Sequence, residues 1–389
     1  MYRPTYIEVD GNILENNIKN IKSTYNKYDY YFGVVKNNSY HHGIYAIKYM
    51  IKAGINYLAV SSLEEAISAR SYDRKIPILC LEPVDNSYVY DAINNNITLT
   101  IGSVDEAIEI SKCKFSDNLK IHLKVDSGMS RLGFRNKKDF NKAYKLLLDV
   151  KNVEIEGIYT HLATSGIVDK HYNDQIENFL AITKDVDFEN IPIVHVDRSL
   201  TLVVHDKLDF VNGVRLGICM YGFSQNIPEG NFLRKIKRNH LQKKLGITNI
   251  HLSNDLKLDY PMSMYSKIIE LRNIKAGDFV GYAALHVAKE DEIIATIPVG
   301  YADGVTKSFK YVYINDKRYD IIAECMDMIM VKVDNTVKIG DTIEILGKNQ
   351  TIKDIADRLG IVGHKALSLF TTRVPIVYKY NGETREIKY

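Results

Sequence analysis

Eight short β-prone runs, each apolar enough to be buried on both faces, recur between Tyr30 and Gly222. They are YYFGVVK, INYLAVSS, IPILCLE, ITLTIGS, LKIHLKVDS, VEIEGIYTHLA, IPIVHVD and FVNGVRLGICMYG. Most are followed by a stretch with helical spacing. Ile44, Ile47 and Ile51 follow the first, and LEEAISAR follows the second, with Ser62 as a helix cap and Glu65 at the capping-box position. Near-continuous apolar strands alternating with amphipathic helices predict a parallel sheet covered on its outer side. Eight such units suit a closed (β/α)8 barrel better than an open sheet of five or six strands.

The alternation stops near Leu233. LRKIKRNHLQKKLG is basic and polar and reads as an irregular connector. Beyond it come short strands punctuated by Asn335, Gly340, Asp341 and Gly347, with one helix at IKDIADRLG. The expectation is an α/β barrel over residues 1–235 followed by a mainly β domain over residues 236–389.

Composition narrows the function classes. With 51 basic and 48 acidic residues the net charge is +3, which argues against a dedicated nucleic-acid binder. No apolar run approaches the ~20 residues of a membrane span. The opening MYRPTYIEVD lacks the basic-then-apolar pattern of a secretory leader. Cys80, Cys113, Cys219 and Cys325 form no C-x-x-C pair, so a reducing compartment, the cytoplasm, is the expected location.

Barrel enzymes do their chemistry at the C-terminal ends of the strands. The first run ends at Lys36, the fifth carries Lys124, Asp126 and Arg131, and the sixth ends near His161. The seventh carries His195, Asp197 and Ser199, and the eighth Arg215. Each alone has an ordinary reading: a lysine that snorkels, a hydrogen-bonded structural histidine, an arginine paired with a carboxylate. Their convergence on one barrel mouth is harder to assign to solvation. No metal-ligand spacing accompanies His41 and His42, and there is no Walker loop or G-x-G-x-x-G. A lysine among cations and tyrosines suits Schiff-base chemistry, because nearby charge and burial lower its pKa. Pyridoxal phosphate is the leading cofactor for such a lysine.

These segments resemble the alanine racemase family. VVKNNSYHHG is similar to its pyridoxal-lysine motif, HLKVDSGMSRLGF to its K-x-D-T-G-M-x-R-x-G-F, and IATIPVGYADG to its second-domain signature. IYTHLATS, VRLGICMYG and CMDMIMV also resemble family segments, in family order from Arg3 to the RVPIVY near the C-terminus. The resemblance implies a pyridoxal-phosphate barrel, a β domain and a head-to-tail homodimer with shared active sites. It implies that Lys36 holds the cofactor and that Tyr282 is the second base, acting in the neighbouring subunit. Arg215 would face the pyridine nitrogen, and His161 would link Arg215 to Tyr282. Arg131 would contact the substrate carboxylate, with Lys124 at a position often carbamylated. Tyr40, Ser199, Gly217 and Ile218 fall where the phosphate is bound, and Met326 where a backbone N–H meets the substrate carboxylate.

Several positions depart from the family pattern. His41 replaces a glycine, Arg198 an asparagine, Ala283 a glycine, His286 a frequent tyrosine and Leu216 a proline. Thr372 stands where a phosphate-contacting tyrosine is common, and Ile376 replaces an arginine. The implied activity is alanine racemisation supplying D-alanine for the cell wall. A racemase of serine or a larger amino acid, a decarboxylase of the same architecture, and a cofactor-binding protein without turnover are the rival readings.

Overall fold

The computed structural model describes residues 2–224, 232–245 and 256–387. After a first strand β1 (Tyr6–Asp10), eight parallel strands follow in chain order. They are β2 (Tyr30–Val34), β3 (Tyr57–Val60), β4 (Ile78–Cys80), β5 (Ile97–Ile101), β6 (Leu119–Lys124), β7 (Val153–Tyr159), β8 (Ile193–Arg198) and β9 (Gly213–Leu216). They pair in that order, and β2 closes on β9, so the sheet is a closed barrel. The eight apolar runs are these eight strands.

The helices between them start where side chains satisfy orphan N–H groups. Ser103 Oγ accepts from Glu106 N at 3.1 Å, and Asn136 Oδ1 from Asp139 N at 2.9 Å. Ser62 Oγ accepts from Glu65 N as the capping box requires. The Glu65 carboxylate does not return to the cap residue; it accepts instead from Ser61 N at 2.8 Å and Asn37 N at 2.6 Å. The basic stretch expected to be an irregular connector contains a helix, Phe232–Lys244. Its Lys, Arg, Leu and Gln residues are good helix formers, and a solvated helix needs no apolar stripe as wide as a core helix does.

The second domain is built on β10 (Met262–Lys267), β11 (Glu270–Ile274), a short hairpin of β12 (Phe279–Val280) and β13 (His286–Val287), and β14 (Glu292–Ile297). β15 (Tyr311–Ile314), β16 (Lys317–Glu324), β17 (Ile329–Val333), β18 (Thr342–Leu346), β19 (Ile376–Tyr380) and β20 (Glu383–Ile387) complete it. Ten strands form one sheet in the order β11-β14-β17-β16-β15-β18-β10-β1-β19-β20. The chain's own first strand therefore lies inside the second domain's sheet, antiparallel to β10 and parallel to β19.

A clamp secures that return. Arg3 grips the fully buried Asp303 carboxylate with both guanidinium nitrogens, at 2.7 and 2.5 Å, and donates from Nε to the Pro298 carbonyl at 3.0 Å. Asp303 Oδ2 also accepts from Gly300 N at 3.0 Å, so the clamp shapes the GYADG turn. Burial works against the Asp303 charge, but the hydrogen bonds from Arg3 outweigh it and hold its pKa down. Arg373 Nε, 3.8 Å from Asp303 Oδ1, would compensate part of the charge left by loss of Arg3, so the cost falls at the lower end of the roughly 3–5 kcal/mol of breaking a buried pair. Arg3→Ala is expected to lower the stability by about that amount in urea titration; a change under 1 kcal/mol would mean the clamp is dispensable.

Candidate active site

The site begins with backbone strain. After β2, Asn37, Asn38, Ser39, Tyr40 and His41 all have positive φ, between 51° and 67°. Left-handed helical backbone costs roughly 1–2 kcal/mol per L-residue, least for asparagine, which stands at two of the five positions. His41 occupies the left-handed position where the family motif has glycine. The turn is held by its own hydrogen bonds, Ser39 N to Val35 O at 2.8 Å and His41 N to Asn37 O at 3.0 Å. It sets Lys36 and Tyr40 on one wall of a cavity at the barrel mouth. Strain concentrated beside a reactive side chain is the pattern of a functional site.

The floor of that cavity is a polar chain along the barrel axis. Side chains two apart share one face of a strand, so β6 sends Lys120, His122 and Lys124 into the lumen at successive levels. Arg215, 4% exposed, donates from Nη1 to His195 Nδ1 at 2.7 Å and to the His195 carbonyl at 3.0 Å. Nη2 donates to the carbonyls of Thr160 and Val196 at 2.7 and 3.0 Å, and approaches His161 Nδ1 at 3.4 Å. A guanidinium only donates, so His195 Nδ1 must accept and its proton sits on Nε2. That proton reaches His122 Nδ1 at 2.9 Å, and His122 Nε2–H in turn reaches Glu156 Oε2 at 3.2 Å. Tyr57 and Lys120, both at 2.6 Å, complete the carboxylate's shell.

The charges along this chain are settled by burial against hydrogen bonding. Burial works against the Glu156 carboxylate, yet its bonds from His122, Lys120 and Tyr57 hold its pKa down at about 2. Burial, then Arg215, keeps His195 neutral. His161, pushed down to about 2 by burial and then by Arg215, Arg198, Lys124 and Arg131, is also neutral. Burial lowers Arg215 only to about 10, so it stays a cation. Two register shifts, at Ile121/His122 and His195/Asp197, lie beside the histidines of the chain. A Cβ on Gly157 would lie 2.6 Å from His122 Cε1, so glycine there makes room for the ring.

Lys36, Tyr40, Lys124, Arg131, His161, Ser199, Arg215, Gly217 and Ile218 all line one cavity of about 550 Å³. Tyr282 and Met326 do not; both are exposed on the second domain. The cavity fits pyridoxal phosphate. A Cβ on Gly217 would sit 3.1 Å from Tyr40 Oη and 3.8 Å from Ser199 Oγ, so glycine keeps open a hollow bordered by two hydroxyls. Hydroxyl and backbone donors there suit a phosphate, Lys36 suits the aldehyde, and Arg215 has its Nε left over for the ring nitrogen.

Sequence reasoning missed several contributors. Ser61 and Glu82 follow β3 and β4 at the cavity wall. His364 and Ser368 come from the second domain, and Asn37 Nδ2 donates to Ser368 Oγ at 3.0 Å. No motif marks His364; its place follows from how the helix Gly363–Leu367 packs over the mouth.

Lys124 is the electrostatic outlier. It is 5% exposed, its ammonium lies 4.5 Å from the centre of the Tyr159 ring, and no carboxylate pairs with it among the described residues. Burial, then Arg215 and Arg131, push its pKa down to about 7. Tyr282 sits on the β12–β13 hairpin, followed by Ala283 at φ 56°. A glycine there would relieve left-handed strain.

The family models described as "Alanine racemase, N-terminal domain" and "Alanine racemase, C-terminal domain" match residues 9–225 and 261–378. The alanine racemase of Streptococcus equi subsp. equi is 31% identical over 388 residues, covering 97% of this chain and 99% of its own. That of Streptococcus gordonii is 32% identical over 391 residues, with the same coverage. The solved alanine racemase of Bacillus anthracis with bound L-Ala-P is 28% identical, with a TM-score of 0.86 over 100% of this chain and 98% of that one.

The Lys124 geometry makes a pH-dependent prediction. Below pH about 7 both folded and unfolded chains protonate this amine, and the folded state carries the full cost of burying it. Between about 7 and its ordinary value of 10.5 only the unfolded chain binds the proton, and stability rises with pH. In carbonate-free buffer, Lys124→Met should therefore stabilise by as much as about 4–5 kcal/mol below pH 7, with the gain fading toward pH 10. A gain that does not change with pH would refute a buried, depressed amine.

Proposed function

The chain belongs to the alanine racemase family, and from that premise we propose that it interconverts L- and D-alanine with two bases, Lys36 and Tyr282 of a second copy. The observation that carries the reading is the single cavity that brings Lys36, the fixed cation Arg215 and the hydroxyl cradle of Tyr40 and Ser199 together. Pyridoxal phosphate, held through the Lys36 amine, supplies an electron sink that acidifies the Cα–H of an amino acid.

The chain's own residues do the rest. Racemisation removes the Cα proton from one face and returns one to the other, which two opposed bases accomplish directly. Lys36 Nζ serves one face. Tyr282 Oη serves the other, and neutral His161, accepting from Arg215 through Nδ1, has Nε2–H free to support a Tyr282 phenolate. Arg215 holds a fixed positive charge at the ring nitrogen and cannot accept a proton back. Arg131 binds the substrate carboxylate, helped by the Met326 N–H of the second copy.

Two copies are needed because Tyr282, 75% exposed, lies outside the cavity of its own chain. Phe279, Leu285, Val287 and Met326 are exposed with it, and an apolar surface of this kind suits a partner. We place the enzyme in the cytoplasm, making D-alanine for peptidoglycan; four free cysteines suit a reducing compartment. A Lys124 amine titrating near 7 is partly neutral at physiological pH, the form that adds carbon dioxide and releases a proton to become a carbamate. That anion would sit between Arg131 and Arg215. The curated relatives reported above are named for alanine, which does not favour the serine reading.

In heavy water with pyridoxal phosphate and L-alanine, deuterium should enter Cα as D-alanine forms, and faster than with L-serine; faster exchange with serine would overturn the substrate. Lys36→Ala should lose the activity, and Tyr282→Phe should lose exchange on one face. Mixing the two variants should restore activity, since a mixed dimer contains one site with both bases. Failure of mixed dimers to recover would refute shared sites. Carbon-13 carbon dioxide should label a protein carbamate that Lys124→Ala lacks, growing as pH rises through about 7 at constant dissolved gas.

A further inference from the structure

Arg198 ends β8 and lines the cavity with no carboxylate beside it. Its Nε donates to the Leu162 carbonyl at 3.2 Å, and its other donors have no protein partner among the described residues. A partly buried guanidinium satisfied at one of five donors is costly unless an anion completes it. The protein does not offer one. Glu82 is the one carboxylate among the described lining residues, against Lys36, Lys124, Arg131, Arg198 and Arg215.

The topology says which part of the cavity Arg198 serves. It precedes Ser199, whose Oγ accepts from Gly217 N at 3.0 Å. Ser199 follows β8, Gly217 follows β9 and Tyr40 follows β2, three strands adjacent around the barrel. Arg131, by contrast, comes from the loop after β6 and also borders a second cavity, with Asp126 and Arg135. Arg198 thus stands next to the hydroxyl cradle at the end of β8, with its Nε reaching the Leu162 carbonyl in the loop after β7.

We propose that Arg198 binds the phosphate group of the cofactor, adding a charged donor to a cradle otherwise made of neutral hydroxyls and backbone N–H groups. The proposal rests on the pyridoxal-phosphate reading above. It makes cofactor retention dependent on charge, so that the phosphate ester and its dephosphorylated form should be distinguished far more sharply than hydroxyls alone would allow.

The test measures binding rather than turnover. Equilibrium dialysis of the apoprotein against pyridoxal phosphate and, separately, pyridoxal gives the ratio of the two dissociation constants for wild type, Arg198→Gln and Arg198→Lys. Arg198→Gln should weaken pyridoxal phosphate on the order of tenfold and leave pyridoxal unchanged. Arg198→Lys should recover part of the loss, since it keeps the charge without the planar fork. An unchanged ratio in Arg198→Gln would overturn the proposal. Equal weakening of both forms would also overturn it, assigning Arg198 to pocket shape. So would intact cofactor binding with a raised KM for alanine, which would assign Arg198 to the substrate carboxylate. If the glutamine variant does not fold, the ratio in Arg198→Lys and in wild type at rising salt decides: phosphate binding should weaken with salt while pyridoxal binding should not. Failure of wild type to bind either form would instead overturn the cofactor reading itself.

Discussion

A guanidinium buried on the axis of a barrel is the constraint around which this structure is organised. Arg215 cannot lose its proton, so every neighbour must accept from it. Carbonyls of Thr160, Val196 and His195 do so, and the His195 ring takes one further bond at 2.7 Å. The ring's tautomer is then decided, His122 follows, and Glu156 closes the sequence with Tyr57 and Lys120 near the barrel floor. Barrel lumens are more often filled with branched aliphatic side chains. Here Phe32, Tyr57, Tyr159 and two imidazoles fill much of it, with Phe32 and Tyr159 both stacked on His195 at 4.6 Å between ring centres. Flat rings and a hydrogen-bonded core hold the arginine rigidly, so its charge stays fixed at the cavity it lines.

The same charge governs the mouth above it. Cations from four strand ends face one cavity, and the protein relieves their repulsion by keeping some groups neutral: His161 is neutral and Lys124 is poised near neutrality. What remains is a site whose described lining sets one carboxylate, Glu82, against five basic side chains and so accepts anions. The second domain closes part of that mouth with His364 and Ser368 while it turns Tyr282 outward. Its internal order depends on the chain's own beginning, because β1 is a central strand of its sheet and Arg3 fixes the turn that carries Tyr301.

Much of this was legible in the sequence because the signals are local. A parallel barrel strand is apolar on both faces, so eight of them stand out from the helices between. Polar residues that end such runs, Lys36, Lys124, His161, Ser199 and Arg215, must emerge at the rim. Other features were not legible because no local pattern carries them. Glu65 has the spacing of a capping box, yet the left-handed turn at Asn37 supplies a competing donor at 2.6 Å. His364 lies on a short helix whose position depends on domain packing. The alternation of Lys120, His122 and Lys124 is visible in LKIHLK, but an apolar-looking β-strand with three basic residues gives no hint that Glu156 waits on the neighbouring strand β7.

The sequence by itself determined the strand count, the parallel class and the residues delivered to the rim, because period and burial are written in consecutive residues, while closure rests on the pairing of β2 with β9. Tertiary structure decided which groups touch. It carried β1 into the distant sheet, set five residues after Lys36 into left-handed backbone, and joined Arg215 to Glu156 through two histidines from different strands. It also left Arg198 without a carboxylate and Tyr282 outside its own cavity. These are relations between residues far apart in the chain. Their energies depend on burial and hydrogen-bond geometry, which exist only once the barrel has closed.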